Sequence, residues 1–213
     1  KPIVSISSID LIIPSEYKKP TCLSVKKEEG SFVFLFTGRI LWSKGVEEFV
    51  DAARATKQKY PTTQFWLAGI IEPENPSGID IAQIRGWEKE GVVIYYGEVK
   101  DVRPFICRAD CIVLPSYYRE GIPRSLLESL AMKKPIITTN VIGCREVVEE
   151  GINGFSVPAK DPSALFNAFC KMIELPSETR LKMGKAGYDK VKNEFEESMV
   201  TNVYLQEIQN VTS

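Results

Sequence analysis

The sequence predicts an α/β domain with a doubly wound parallel sheet of about six strands, followed by a helical C-terminal tail. The length of 213 residues suits one large domain or two small ones. Short, wholly apolar runs of strand length alternate along the chain with amphipathic segments of helical period. Strands that are apolar on both faces are typical of parallel sheets covered by helices on both sides.

The elements follow in chain order. Residues 1–24 contain three prolines and no sustained period, so we expect an entry segment there. An apolar strand over 32–37 ends at Gly38, and Ser43 then fits the N-cap of a helix that Pro61 stops. Further strands are predicted at 65–67, 92–96, 111–114, 135–138 and 154–157, and helices at 79–90, up to Ala109, at 123–132 with Pro123 in the first position, at 145–149, and from Asp161 onward.

Composition excludes several function classes. Apolar residues make up 44% and charged residues 26%, which is ordinary for a globular protein. The 27 basic and 28 acidic residues form no basic stripe, so nucleic acid is not an expected partner. Histidine, the commonest general base and metal ligand, is absent from the sequence. The five cysteines form no CxxC pair, so we expect no metal site, and reduced thiols that fit a cytoplasmic location.

Ligands of doubly wound sheets bind beyond the carboxyl ends of the strands. After the first strand, the segment Gly38–Gly45 places Arg39 and Lys44 beside a helix start, where unpaired N–H groups and the helix dipole favour an anion. A guanidinium fork and a mobile ammonium together suit a diphosphate. The alternative is that both are solvated turn residues. Neither a P-loop nor a GxGxxG motif occurs, which argues against an ATPase or a dehydrogenase.

A second candidate segment follows the fourth strand. Glu120 and Glu128 stand around Gly121, which lets a ligand approach the backbone, and Pro123, which starts a helix. The amides of 121–125 would face an anion, and the two carboxylates would accept hydrogen bonds from a sugar and a ribose. Taken singly, each glutamate could instead complement the helix dipole.

These segments resemble motifs of the family-4 retaining glycosyltransferases, which have GT-B architecture. Residues 120–128, E-G-I-P-R-S-L-L-E, resemble the E-x7-E motif, and the G-R-x4-K-G segment at 38–45 resembles the diphosphate-binding loop. The form P-R-S-L-L-E is similar to the branch that builds bacterial capsule, O-antigen and protein-glycan repeat units. The resemblance extends over roughly residues 5–205, with further family segments at 7–10, 67–69, 96–99, 108–116, 143–148 and 150–155.

The resemblance implies a role for each matching residue. Arg39 and Lys44 would bind the donor diphosphate and stabilise the charge of the leaving group, and Glu120 would bind hydroxyls of the transferred sugar. Glu128 would accept the ribose hydroxyls. UDP is the favoured carrier, and no metal or other cofactor is expected. The other donor-binding residues would be Gly38, Val93, Tyr95, Gly121, Ile122, Pro123, Arg124, Ser125, Leu126 and Leu127, with Val93 and Tyr95 near the base.

In domain terms the resemblance covers the Rossmann-like donor half of a GT-B fold. It implies an interdomain linker at 1–24, a nucleotide-sugar-binding domain at 25–192 and a C-terminal crossover helix at 193–213. Lys133 departs from the family, which usually has glycine there. The N-terminal acceptor domain, which usually brings a catalytic histidine, would be missing, so we expect donor binding without transfer.

The implied partners of the full enzyme are a UDP-sugar and a polyprenyl-diphosphate-linked glycan acceptor. No run approaches the ~18 apolar residues of a membrane-spanning helix, so we expect a cytoplasmic enzyme, at most peripheral on the inner face of the cytoplasmic membrane. Two alternatives stay open: a UDP-sugar epimerase-type GT-B domain, and a non-catalytic Rossmann-like interaction module.

Overall fold

A computed structural model describes residues 25–119 and 121–195 of the chain. Within these ranges, six strands form one sheet in the order β3-β2-β1-β4-β5-β6, and all neighbouring strands are parallel. This order confirms the predicted doubly wound α/β fold. The strands are β1 Val33–Thr37, β2 Gln64–Ala68, β3 Ile94–Tyr95, β4 Cys111–Leu114, β5 Ile136–Thr139 and β6 Gly154–Val157.

Helices connect the strands and cover both faces of the sheet. Right-handed crossovers place α1 and α2 on one face and α3 and α4 on the other. Two further helices follow β6, of which α5 packs against α1 and α6 packs against α4. The helices are α1 Val46–Lys59, α2 Ile81–Lys89, α3 Arg103–Arg108, α4 Arg124–Ala131, α5 Pro162–Glu174 and α6 Ser177–Glu194, with a 3-10 turn at Trp42–Lys44 before α1.

The core on the α1 face is a cluster of aromatic rings. Phe169 of α5 lies with its ring centroid 4.4 Å from that of Phe34 and 5.4 Å from that of Phe65, both in the central strands. Phe49 of α1 contacts Phe65 edge-on at 5.7 Å. All four side chains are fully buried. The cluster therefore holds α1 and α5 on the same side of the sheet.

The strand order reverses direction between β1 and β4. From β1 the strands advance through β2 to β3 on one side, and from β4 through β5 to β6 on the other. The carboxyl ends of β1 and β4 are therefore the topological switch point, where doubly wound sheets bind ligands. Two loops leave this point: the β1–α1 loop (residues 38–45) and the β4–α4 loop (residues 115–123).

Two helix starts differ from the predictions. Ser43 is not the N-cap of α1: it lies inside the 3-10 turn, and Gly45 is the N-cap with a left-handed φ of 78°. The N-cap of α4 is Pro123, not its first residue, with φ −66° and ψ 121°. Proline restricts φ but leaves ψ free, so its ring suits the extended cap position as well as the first helical position.

Two other elements are shorter than predicted. The third strand comprises only Ile94–Tyr95, and at this sheet edge the carboxylate of Glu88 accepts the N–H of Tyr95 at 3.0 Å. Residues 145–147 form turns and 148–149 have no regular structure, so no helix forms there. The buried side-chain amide of Asn153 bonds the carbonyl of Val147 at 2.9 Å and the N–H of Glu149 at 2.8 Å, and these bonds replace helical ones.

Three of the cysteines agree with the expectation of reduced thiols. Cys111, Cys144 and Cys170 are free and buried.

Part of the predicted organisation lies outside the described residues. This applies to the linker at 1–24, to Glu120, and to 196–213 of the predicted crossover helix. Residues 193 and 194 of that segment belong to α6. No helix in the described ranges combines the length and the apolar character needed to cross a bilayer.

Candidate functional site

The β1–α1 and β4–α4 loops are held directly against each other. The carbonyl of Ser43 accepts the N–H of Tyr117 at 3.1 Å and the hydroxyl of Ser116 at 3.3 Å. Beside this contact, a Cβ atom on Gly45 would overlap the carbonyl oxygen of Pro115. Glycine is therefore required where the loops approach each other, and their predicted site residues are brought to one side of the sheet.

Arg39 and Lys44 both lie at this carboxyl edge, just before α1. The Nη1 atom of Arg39 is 3.4 Å from Oε2 of Glu72, and the Arg39 side chain is 53% exposed. A pair this long and this exposed contributes little, so an anion can compete for the guanidinium. Lys44 is half-buried at the end of the 3-10 turn. Both predicted cations therefore lie on the β1–α1 loop, Lys44 next to the start of α1 and Arg39 beside Glu72.

The start of α4 forms the opposite wall. Pro123 provides no side-chain cap for α4. The N–H groups of Leu126 and Leu127 donate hydrogen bonds to the carbonyl of Pro123. The side chains of both leucines are buried in the core. Their side chains and these two N–H groups are therefore not open to a ligand, whereas Gly121 and Arg124 are exposed at the edge.

Glu128 lies in the second turn of α4, and its side chain is 23% exposed. Burial raises the pKa of its carboxyl, and the opposing influence comes first from Arg124, whose Nε donates to Oε1 at 2.9 Å. Arg103 and Asp101 are close enough to influence the same carboxyl. The carboxylate is thus a sheltered hydrogen-bond acceptor beside a helix start.

The two residues predicted near the base occupy different environments. Val93 precedes β3 and is only 3% exposed, so the structure places its side chain in the core. Tyr95 is half-buried, and its hydroxyl donates to the carbonyl of Gly69 at 2.9 Å. The structure does not bring the Val93 side chain to the carboxyl edge with the other predicted residues.

Gly69 helps to shape the carboxyl edge of the sheet but is not among the site residues predicted from sequence. A Cβ atom on it would overlap the carbonyl oxygen of Gly38, and its N–H donates to the carbonyl of Gly97 at 2.8 Å. Gly38, Gly69 and Gly97 follow β1, β2 and β3, respectively, and Gly69 contacts the other two. Sequence contained a hint, because a glycine follows each of the first three apolar runs.

No group of three or more Cys, Asp and Glu side chains in the described part of the chain lies close enough to hold a metal ion. Independence from metals and cofactors stays a prediction. The assembled edge combines two cations, a helix start and a sheltered carboxylate. Such a set can bind a diphosphate and, beside it, hydroxyl groups.

Comparison with known protein families decides the classification. The family described as "Glycosyl transferases group 1" matches residues 31–175, which is more than half of the chain. The chain belongs to the group 1 glycosyltransferases. The resemblance to family-4 enzymes of GT-B architecture is thereby confirmed.

Two curated relatives of this glycosyltransferase domain are bacterial enzymes whose names describe sugar transfer. It is 31% identical over 175 residues to the N,N'-diacetylbacillosaminyl-diphospho-undecaprenol alpha-1,3-N-acetylgalactosaminyltransferase of Campylobacter jejuni, covering 82% of this chain and 43% of the relative. It is 29% identical over 170 residues to the capsular polysaccharide biosynthesis glycosyltransferase CapM of Staphylococcus aureus, covering 80% and 44%. The chain thus spans less than half the length of these relatives.

Solved structures share the fold. The C-terminal domain of the group 1 glycosyltransferase LpcC from Francisella tularensis superposes with a TM-score of 0.67 at 26% identity, over 78% of this chain and 87% of that one. The Anabaena protein HepE, solved in complex with UDP, superposes with a TM-score of 0.74 at 19% identity, over 84% and 49%. At that identity the second likeness concerns the fold alone.

Proposed function

We propose that this domain binds the nucleotide-sugar donor, a UDP-sugar, of a retaining glycosyltransferase that adds a hexose or an N-acetylhexosamine to a lipid-linked surface-glycan intermediate. The observation that carries the proposal is the docking of the loop with Arg39 and Lys44 onto the loop that leads to Glu128. The diphospho-undecaprenol in the name of the Campylobacter relative and the UDP bound to HepE support the substrate classes.

The proposed chemistry is electrostatic. As the bond between the sugar C1 and the diphosphate oxygen breaks, negative charge grows on the departing UDP. Cations held in place before the reaction stabilise that charge most in the transition state. Arg39 and Lys44 have this role in the proposal, Glu120 binds hydroxyls of the transferred sugar, and Glu128 accepts the ribose hydroxyls.

The proposal assigns this chain donor binding without transfer. An N-terminal acceptor domain would supply the site for a polyprenyl-diphosphate-linked glycan, and the complete enzyme would act in the cytoplasm, at most peripherally on the membrane. The length of the relatives, more than twice the matched region, supports a second domain.

Calorimetric titration with UDP tests the site residues. Arg39→Ala removes a charged donor and Glu128→Gln a charged acceptor, so we expect each variant to weaken UDP binding about tenfold or more. Arg54→Ala is the matched control, because Arg54 lies along α1 and pairs with Glu90 at 2.9 Å, away from the carboxyl edge. Its affinity should equal that of the wild type.

The same titration separates the alternatives. Selective binding of UDP over GDP and ADP supports the proposed carrier. Unchanged UDP affinity in both site variants would remove Arg39 and Glu128 from the site. Conversion of a UDP-sugar without any acceptor would favour an epimerase-type domain, and absence of nucleotide binding would favour an interaction module.

A further inference from the structure

Lys160 makes an unusual contact with the β4–α4 loop. It lies in the turn between β6 and α5 with a left-handed φ of 58°. Its ammonium nitrogen is 4.3 Å from the ring centroid of Tyr117. An ammonium at this distance over a tyrosine face is attracted by the ring quadrupole. The contact connects the turn after β6, the strand at one edge of the sheet, with the β4–α4 loop at the switch point.

Tyr117 is one of the residues through which the two site loops meet. Its N–H donates to Ser43 at 3.1 Å, one residue before the proposed phosphate ligand Lys44. Its ring is half-buried, and burial raises the pKa of its hydroxyl. The backbone of Tyr117 is thus bound to one loop while its ring is covered by Lys160.

A carboxylate on α1 completes this arrangement. Burial raises the pKa of Glu48, while the charge of Lys160 acts in the opposite direction. Oε2 of Glu48 is buried and has no hydrogen-bond partner among the described residues. Glu48 also adds to the raised pKa of Tyr117. The ammonium of Lys160 therefore lies near the Glu48 carboxyl as well as over the Tyr117 ring.

The backbone conformation of Lys160 gives no reason for a lysine. Glycine adopts a positive φ more readily than any residue with a side chain. The feature to explain is therefore the side chain, and within the described residues its ammonium contacts the site loops at Tyr117.

We propose that Lys160 is a positioning residue of the donor site: its ammonium, over the Tyr117 ring, holds the β4–α4 loop in register with the β1–α1 loop. The expected effect of Lys160 on UDP binding rests on the proposed function. The expected effect on the β4–α4 loop does not depend on any ligand.

Hydrogen exchange of the whole 213-residue chain, followed by UDP titration, tests the proposal. Lys160→Gly keeps the left-handed turn and removes the ammonium, so amides 116–119 and 121–122 should exchange about two- to fivefold faster, and UDP binding should weaken by a similar factor. Lys133→Gly is the matched control, because Lys133 has the same φ of 58° but places its ammonium over Tyr188. It should leave these amides and UDP affinity unchanged.

Two more variants separate positioning from general stability. Lys160→Arg retains a cation over the ring and should restore wild-type exchange. In a Tyr117→Leu background, Lys160→Gly should accelerate exchange less than it does in the wild type, because the ring contact is already lost. Unchanged exchange at 116–119 and 121–122 in Lys160→Gly, or equal acceleration in Lys133→Gly, would overturn the inference. Accelerated exchange in a chain that binds no UDP would support the positioning role while rejecting the proposed function.

Discussion

Glu128 illustrates how opposing influences act on one residue. Burial raises the pKa of its carboxyl above the ordinary 4.5, and the ion pair with Arg124 only partly offsets this. The partner side chain is 61% exposed, so solvent screens the pair. The domain therefore keeps a titratable carboxyl in a sheltered position, which is common at functional sites.

The pH dependence of stability follows from that shift. A carboxyl whose pKa is raised by folding stabilises the folded state below its unfolded pKa, and this contribution is lost as pH rises through the folded pKa. Glu128→Gln removes the titration. We expect the variant to gain stability relative to the wild type as pH rises from about 4 to 7, measured as free energy of unfolding in urea. A stability difference that falls over this range would contradict the assignment.

At the scale of elements, the β1–α1 loop depends on one glycine. Gly45 combines a left-handed φ of 78° with a backbone position directly against Pro115. A left-handed φ strains any L residue that has a side chain, and the contact with Pro115 leaves no room for a Cβ atom. Together they explain why α1 starts after the 3-10 turn and why the two site loops can touch.

Alanine substitutions can separate these two requirements. Gly91 has a similar φ of 71°, but no atom lies within 4 Å of the position its Cβ would take. Gly91→Ala should therefore cost only the conformational strain, about 1–2 kcal/mol. Gly45→Ala should cost about 3 kcal/mol or more, because overlap with Pro115 adds to the strain. Urea unfolding of both variants measures the difference, and equal losses would show that the loops separate easily.

At the scale of the whole molecule, α5 completes the fold. Phe169 joins the rings of β1, β2 and α1 although it lies after the last strand. The helical segment after β6 is therefore part of the central core and not an appendage. This agrees with the family match, which extends to residue 175 at the end of α5.

Truncating that ring should destabilise the whole domain in one cooperative transition. Phe169→Ala leaves a cavity among buried aromatic rings, and we expect a loss of about 3–5 kcal/mol in the free energy of unfolding. Leu181→Ala is the control, because that α6 side chain is 72% exposed and should change stability by less than about 0.5 kcal/mol. Denaturant unfolding with one midpoint tests cooperativity; separate transitions would show that α5 is an independent unit.

Much of this molecule follows from local patterns. The strands Cys111–Leu114 and Gly154–Val157 lie at the predicted residues, since short apolar runs between turn residues are typical of the buried strands of a covered sheet. The order of apolar runs and helices also identified the switch-point segments, because their place at strand ends follows from chain connectivity.

What sequence alone could not determine depends on residues that are distant in the chain. The core position of Val93 and the contact of Ser43 with Tyr117 follow from three-dimensional proximity. The clearest case is Lys160 over Tyr117, since neither residue has a local pattern that indicates the other. Sequence by itself determined the fold class, the family and the candidate residues, because these depend on local period and motif. Only the tertiary structure decided which loops touch and which side chains face the edge, because such contacts arise from packing across the sheet.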